Sequence, residues 1–383
     1  MQSSEHPKGV RGILQHFSSL RDPRVAGRCD YPFETVLVIG LLGVLCGAEG
    51  WTELEGFAKA KKKWLRTFLD MPGRPPKEGV FRRLFSSLRP AAFEACMAAW
   101  VRSLAESLTG QVVAFDGKAL RGALARAFGR TPLHQVHAWV GSQRLMLAQR
   151  NVEGAPEEGA AICSMLEALE LKGAIVTMDA GNASKKVAQK VLDAEAEYVV
   201  TIKANRKKFH TALAEFFTNA EATGFAGVAV RHQKTQERGH GRDELREVWV
   251  VPARVLGEMA TYWPGLQSIV MIRRTRVLPD ATVQQWTHYY VSSLPPRVRL
   301  LADSIREHWG VENGLHWILD VQMGEDACPI RDTNGATNFS LLRRMALMLL
   351  QRDETVKRGT KAKQKMAGWD EDYLLLLLTR GLP

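Results

Sequence analysis

Cysteine is scarce in this 383-residue chain. Only Cys29, Cys46, Cys96, Cys163 and Cys328 occur, and none forms a C-x-x-C pair. An odd, scattered set excludes a disulfide framework and a cysteine-based zinc site, and it fits a reducing, cytoplasmic setting. Long apolar runs are also missing. The best, Thr35 to Ala48, is about 14 residues, short of the roughly 20 that span a bilayer. It reads as a buried helix, and no membrane partner is expected. Met1 to Gly9 is polar and lacks the pattern of a cleavable leader. There is no G-x-x-x-x-G-K-[ST] loop, no G-x-S-x-G elbow and no H-E-x-x-H pair, which removes the P-loop NTPase, serine-hydrolase and zincin readings. Acidic residues are the minority, 41 against 52 Lys and Arg, for a formal net charge of +11. That excess favours a polyanionic partner, nucleic acid first.

What is present suggests more than one domain. Residues 1–108 are basic and mostly helical, with helices over about 33–47, 52–69 and 90–108. Lys61, Lys62, Lys63, Arg82 and Arg83 are candidate DNA contacts on either a solvated basic face or a loose helix-turn-helix. At Gln111 the texture changes. QVVAFDG, HQVHAWVG, RLMLAQRNV, AIVTMDAGN and YVVTIK read as strands, with helices over 157–170, 184–194 and 207–219. That alternation predicts an α/β catalytic domain over 109–352 with a partly parallel sheet. A β-rich insertion is expected at about 204–290. A helix from about Arg299 and another over 335–351 follow. The basic tail, 353–383, reads as mobile to residue 367, with one short closing helix.

Three carboxylates stand out. Ile305, His308, Trp309, Glu312, Leu315, His316 and Leu319 recur at helical spacing, which places Glu312 within an apolar stripe. A carboxylate there is costly unless an arginine or a metal ion meets it. Asp116 and Asp179 each end an apolar strand, followed by Gly117 and by Ala180-Gly181-Asn182. Singly, each is as well explained by a turn or a helix cap. Three carboxylates from two strands and a helix suit a hard cation such as Mg²⁺, and a pair of such ions suits phosphodiester chemistry. Zinc is not favoured: His134 and His137 point to opposite faces of a strand, and His308 and His316 flank Glu312 without a zinc motif. Lys118 and Arg121 follow Asp116, Lys203 and Asn205 follow the 198–203 strand, and Arg242 and Arg246 lie in HGRDELR. With Arg306 and His308 they are candidate contacts in a channel gripping a nucleic-acid backbone. Trp139, Trp309 and Trp317 read as core residues, with stacking on bases the alternative.

The ordered series FDGKALRG, TMDAGN, YVVTIKANRKKF, HGRDELR, YYVSSL and REHWGVENGLHWILDVQMGEDA resembles bacterial insertion-sequence transposases of the DDE class, in the branch that holds the H-repeat-associated proteins. DPR near residue 22 and GAEGWTELEGFA resemble the helical region that precedes the catalytic domain in that branch. The resemblance implies an α/β, ribonuclease H-like core interrupted by a β-rich insertion and preceded by a mostly α-helical domain. It implies the triad Asp116, Asp179 and Glu312, two Mg²⁺ ions with Mn²⁺ as a substitute, and cleavage at the element's terminal inverted repeats. The freed 3′-hydroxyl then joins target DNA. It also implies a homodimer or larger synaptic assembly on double-stranded DNA, associated with the nucleoid when acting. The alternatives are an inactive, DNA-binding descendant and a related Mg²⁺-dependent nuclease. Better-studied relatives carry a Tyr seven residues and an Arg four residues before the Glu, and a Lys seven after it. Here Ile305, His308 and Leu319 hold those positions, so the phosphate contacts of that Tyr and Arg do not carry over. Ser184 and Glu157-Glu158 stand where the branch often has Gln and Asn-Glu. Asp320 and Asp326 compete as third ligand and rank below Glu312.

Overall fold

The computed structural model describes residues 6–120, 133–239 and 242–382. The N-terminal part is helical: α1 (Lys8–Phe17), α2 (Phe33–Leu45), α3 (Trp51–Ala60), α4 (Lys62–Leu65), α5 (Glu78–Ser87) and α6 (Pro90–Leu104). Pro32 precedes α2 and Pro90 opens α6, where a missing N–H costs nothing. Every residue of α2 from Thr35 to Leu45 is buried. The apolar run expected to be an interior helix is one, apolar on all sides because it is covered on all sides. Among the described residues no helix is long and apolar enough to cross a membrane.

Nine strands form one sheet: β1 (Val112–Leu120), β2 (Leu133–Val140), β3 (Leu145–Val152), β4 (Ile175–Met178), β5 (Glu197–Ile202), β6 (Arg231–Gly239), β7 (Arg242–Pro252), β8 (Ser268–Val277) and β9 (Val283–Ser292). Their order is β3-β2-β1-β4-β5-β9-β8-β7-β6. β1, β4 and β5 run parallel and the other pairs are antiparallel. The crossovers use α7 (Glu158–Ala168) and α8 (Lys185–Asp193). The first five strands are the ribonuclease H-like arrangement. After α9 (Lys207–Ala222) the β-rich stretch builds onto the same sheet, with Val200 of β5 opposite Val291 of β9. Hydropathy shows strands in this stretch but not which edge they join. α10 (Val298–Val311) then packs across β1, β4 and β5 and reaches β6 and β7.

α11 (Thr333–Arg352) is the central post. It is buried from Gly335 to Leu350 and packs against α2, α5 and α6 on one side and β3 on another. One apolar cluster runs from Val10 to Leu378 through it. The tail differs from its expectation. α12 (Thr360–Trp369) and α13 (Glu371–Thr379) are both formed, and two of the tail's charges, Asp353 and Lys363, turn inward. Lys363 is buried and donates to Leu350 O at 2.9 Å, closing the end of α11. Tyr373 Oη donates to buried Asp353 at 3.0 Å. α13 lies so close to α1 that a Cβ on Gly9 would stand 2.7 Å from Leu378 Cβ.

Candidate active site

The register of β1 and β4 creates the site. Phe115 pairs with Met178, the last pair of the two parallel strands. The next residues, Asp116, still within β1 opposite His137 of β2, and Asp179, just past β4, therefore stand side by side at a strand spacing of roughly 4.8 Å. Sites in open α/β sheets collect at such carboxyl ends. Glu312 closes α10, where the winding widens to π-type turns over Glu312–His316 and Ile318–Gln322. Wide turns of this kind recur at functional sites. The apolar stripe predicted through Glu312 is corrected: the buried line of α10 passes beside Glu312, not through it. Ile305, Val311, Leu315, Ile318 and Leu319 are buried, while Glu312 is exposed, with Trp309 43% and Trp317 50% exposed. These two tryptophans are therefore surface residues, and of the three singled out in the sequence Trp139 alone sits in the core.

Asp116 reports the convergence. Its carboxyl is raised to about 7, first by burial and then by the charges of Asp179, Glu158 and Glu312, against a 3.0 Å bond from Gly117 N–H. Burial would raise Asp179 too, but Lys203 Nζ at 2.9 Å and the N–H of Ala180 outweigh it and hold the pKa low. The nearby histidines offer no compensating charge at neutral pH. Burial depresses His308 to about 4 and His316 to about 3. His308 Nδ1 lies 2.9 Å from Thr177 Oγ1, tying α10 to β4.

Beneath Asp116 runs a buried polar chain. His316 Nδ1 stands 3.4 Å from Asp116 Oδ2, and His316 Nε2 stands 3.3 Å from His137 Nδ1. His137 Nε2 meets Arg344 Nη2 at 3.1 Å. Arg344 Nη1 donates to Glu325 at 2.7 Å, and Lys118 Nζ bridges Glu325 and Asp320 at 2.5 Å each. Lys118 is 6% exposed, so its expected role as a DNA contact is corrected: an ion pair has drawn it inward. Asp320, the competing third ligand, is spent on that lysine.

The other expected contacts divide. Lys203 joins the carboxylates. Asn205 does not face outward with its amide; it donates to Ala180 O at 2.7 Å and holds the turn after Asp179. Arg306 is exposed but paired with Glu237 at 2.5 Å. Lys61 pairs with Glu371 at 3.1 Å and braces α3 against the tail, while Lys63, Arg82 and Arg83 are exposed and Lys62 half-buried. Arg121 lies outside the described residues, and Arg242 is described only by its place at the start of β7. Arg246 lines a groove with Arg274, His288, Arg306, Trp309 and Glu312. Sequence reasoning passed over Arg274. Its signal was the RRTR run, Arg273 to Arg276, in a strand, which says nothing about which face the arginine takes. Glu158 was noted only as a departure, although its charge reaches Asp116.

Among the described residues, no three His, Cys, Asp or Glu side chains close on one point as a ready-made metal cage. Mg²⁺ does not require one. It takes one or two carboxylates, keeps waters and shares phosphate oxygens. The donors here are oxygen-only, and the like charges around Asp116 are what a divalent cation would offset, so the residues fit Mg²⁺ or Mn²⁺.

Residues 108–349 match the family model "Transposase DDE domain", and residues 14–101 match the one named "DDE_Tnp_1-associated". "Putative transposase YncI" of Escherichia coli O157:H7 is 30% identical over 95% of this chain and 94% of its own. "H repeat-associated putative transposase YhhI" of Escherichia coli K12 is 30% identical over 96% and 98%. A solved piggyBac transposase synaptic complex with hairpin DNA covers 98% of this chain and 82% of that one at a TM-score of 0.44 and 11% identity, too loose to add to the assignment.

Proposed function

The chain belongs to the DDE transposase family, and from that premise we propose that it cuts and joins DNA at Asp116, Asp179 and Glu312. The proposed substrates are the terminal inverted repeats of its insertion sequence and a target duplex, with the protein acting as a dimer or larger assembly that brings two ends together. The observation that carries this reading is the register at which the β1–β4 pairing ends. It sets Asp116 beside Asp179, and Asp116 feels the charge of Glu312.

Bound Mg²⁺ would supply an activated water or 3′-hydroxyl and stabilise the leaving oxygen of the phosphodiester. Asp116, Asp179 and Glu312 would hold it. Lys203 keeps Asp179 ionised and ready to ligate. Arg246 and Arg274, which share the carboxylate of Glu244, leave a positive excess in the groove beside Glu312. That excess suits the phosphates flanking the scissile one. The exposed Lys63, Arg82 and Arg83 of the helical region extend the basic surface for the duplex.

The test is an end-labelled duplex built from the DNA flanking the reading frame. Nicking at the repeat boundary is expected with Mg²⁺ or Mn²⁺ and none with EDTA. Cutting that persists in EDTA, or no cutting at any flanking repeat, contradicts the proposal.

A further inference from the structure

One carboxylate at the site has no part in the triad. Glu158 opens α7, and its side chain touches every element that carries the two aspartates. Glu158 Oε2 accepts a hydrogen bond from Asn182 Nδ2 at 3.0 Å. Asn182 is buried in the turn that follows Asp179, with its own N–H bonded to Asp179 O at 3.1 Å. Glu158 Oε1 lies 3.5 Å from His134 Nδ1 on β2. On the third side it rests against the backbone beside Asp116. A Cβ at Gly117 would stand 2.3–2.6 Å from the Glu158 carboxylate atoms. Only glycine leaves that space open, which is why Asp116 is followed by one.

A half-sheltered carboxylate placed among three others raises the electrostatic cost of the site. Its contacts are directional all the same: a turn on one side, a strand backbone on the other. We propose that Glu158 is a positioning residue, whose bond to Asn182 and contact with Gly117 set the separation at which Asp116 and Asp179 meet a divalent cation. The proposal rests on the metal-dependent reading of the site given above. On this account Glu158 acts through geometry, so its acceptor oxygen matters more than its charge.

The experiment is Mn²⁺ binding to the full chain, followed by the electron paramagnetic resonance signal of free Mn²⁺ at fixed pH. Variants are Glu158→Ala, Glu158→Gln, Asn182→Ala and the double Ala variant, with thermal midpoints recorded beside them. Glu158→Ala and Asn182→Ala are expected to weaken Mn²⁺ by about 10–100-fold, as loss of an outer partner does. The double variant should be no weaker than either single one. Glu158→Gln, which keeps an acceptor for Asn182, should bind as the unmodified chain does. Unchanged affinity in Glu158→Ala overturns the proposal. So does Glu158→Gln as weak as Glu158→Ala, since charge would then be what counts. Asp116→Asn and Asp179→Asn separate the layers. If they lose Mn²⁺ while Glu158→Ala does not, only the positioning role falls. If they bind as before, the metal reading and the positioning role fall together.

Discussion

Replacing Glu325 by Gln is expected to lower folding stability by about 3–5 kcal/mol, the usual consequence of breaking a buried ion cluster by removing one partner. Glu325 is 3% exposed and receives Lys118 Nζ, Ser340 Oγ and Arg344 Nη1 within 2.5–2.7 Å. Burial alone would raise its carboxyl, but Arg344, Lys118 and Arg343 outweigh burial and hold it well below the ordinary range. A depressed folded-state pKa stabilises the fold above the unfolded value, near 4.5, and that stability is lost as pH falls below it. With glutamine in place, Lys118 keeps only Asp320 and Arg344 loses the carboxylate it pairs with. Urea unfolding at pH 7 reads the loss, and the difference between parent and variant should shrink below pH 4.5. A loss under about 1 kcal/mol, the scale of an exposed pair, would contradict the view that this cluster joins β1 to the segment after α10.

Asp116→Ala, Asp179→Ala and Glu312→Ala are each expected to slow single-turnover nicking by on the order of 10³-fold or more, since ligand loss forfeits several kcal/mol of transition-state stabilisation. Their thermal midpoints should diverge. Asp116→Ala relieves a buried carboxylate crowded by like charges and should leave the fold as stable or more so. Asp179→Ala frees Lys203, which is half exposed and readily solvated. Glu312→Ala removes an exposed side chain and should not affect stability. Loss of nicking without loss of fold marks a residue as part of the chemistry, and full nicking in any one variant removes that residue from the triad.

Much of this was legible in the sequence because it depends on local pattern. The apolar run of α2, the strand-ending TMDAG, and the alternation of strands and helices each depend on side-chain types a few residues apart. FDG, expected to end its strand, lies inside β1, which runs on to Leu120 because β2 pairs with it there. What was not legible depends on pairing between segments brought together only by the fold, Lys118 with Glu325 across 207 residues and Asn205 with Ala180 across 25. Lys118 reads as an exposed cation until Glu325 and Asp320 are beside it. Asn205 reads as a DNA contact until the turn at Ala180 is folded under it. The stripe through Glu312 was drawn on the wrong line: in α10 the buried line runs through Leu301, Ile305 and Val311 and leaves Glu312 beside it. The π-type turns beyond Val311 break the period of 3.6 that the rest of the stripe assumed. The tail reads as a basic, uneven stretch because nothing local says that Lys363 closes the end of α11.

The most direct test of the account is strand transfer. A duplex ending in the element's own repeat with a free 3′-hydroxyl is incubated with plasmid DNA, Mg²⁺ and the full chain. The account predicts covalent joining of that 3′ end to the plasmid, supported by Mn²⁺, abolished by EDTA and absent with Asp116→Asn, Asp179→Asn or Glu312→Gln. Joined product from any of those variants, or cleavage of the duplex with no joining at all, would contradict it.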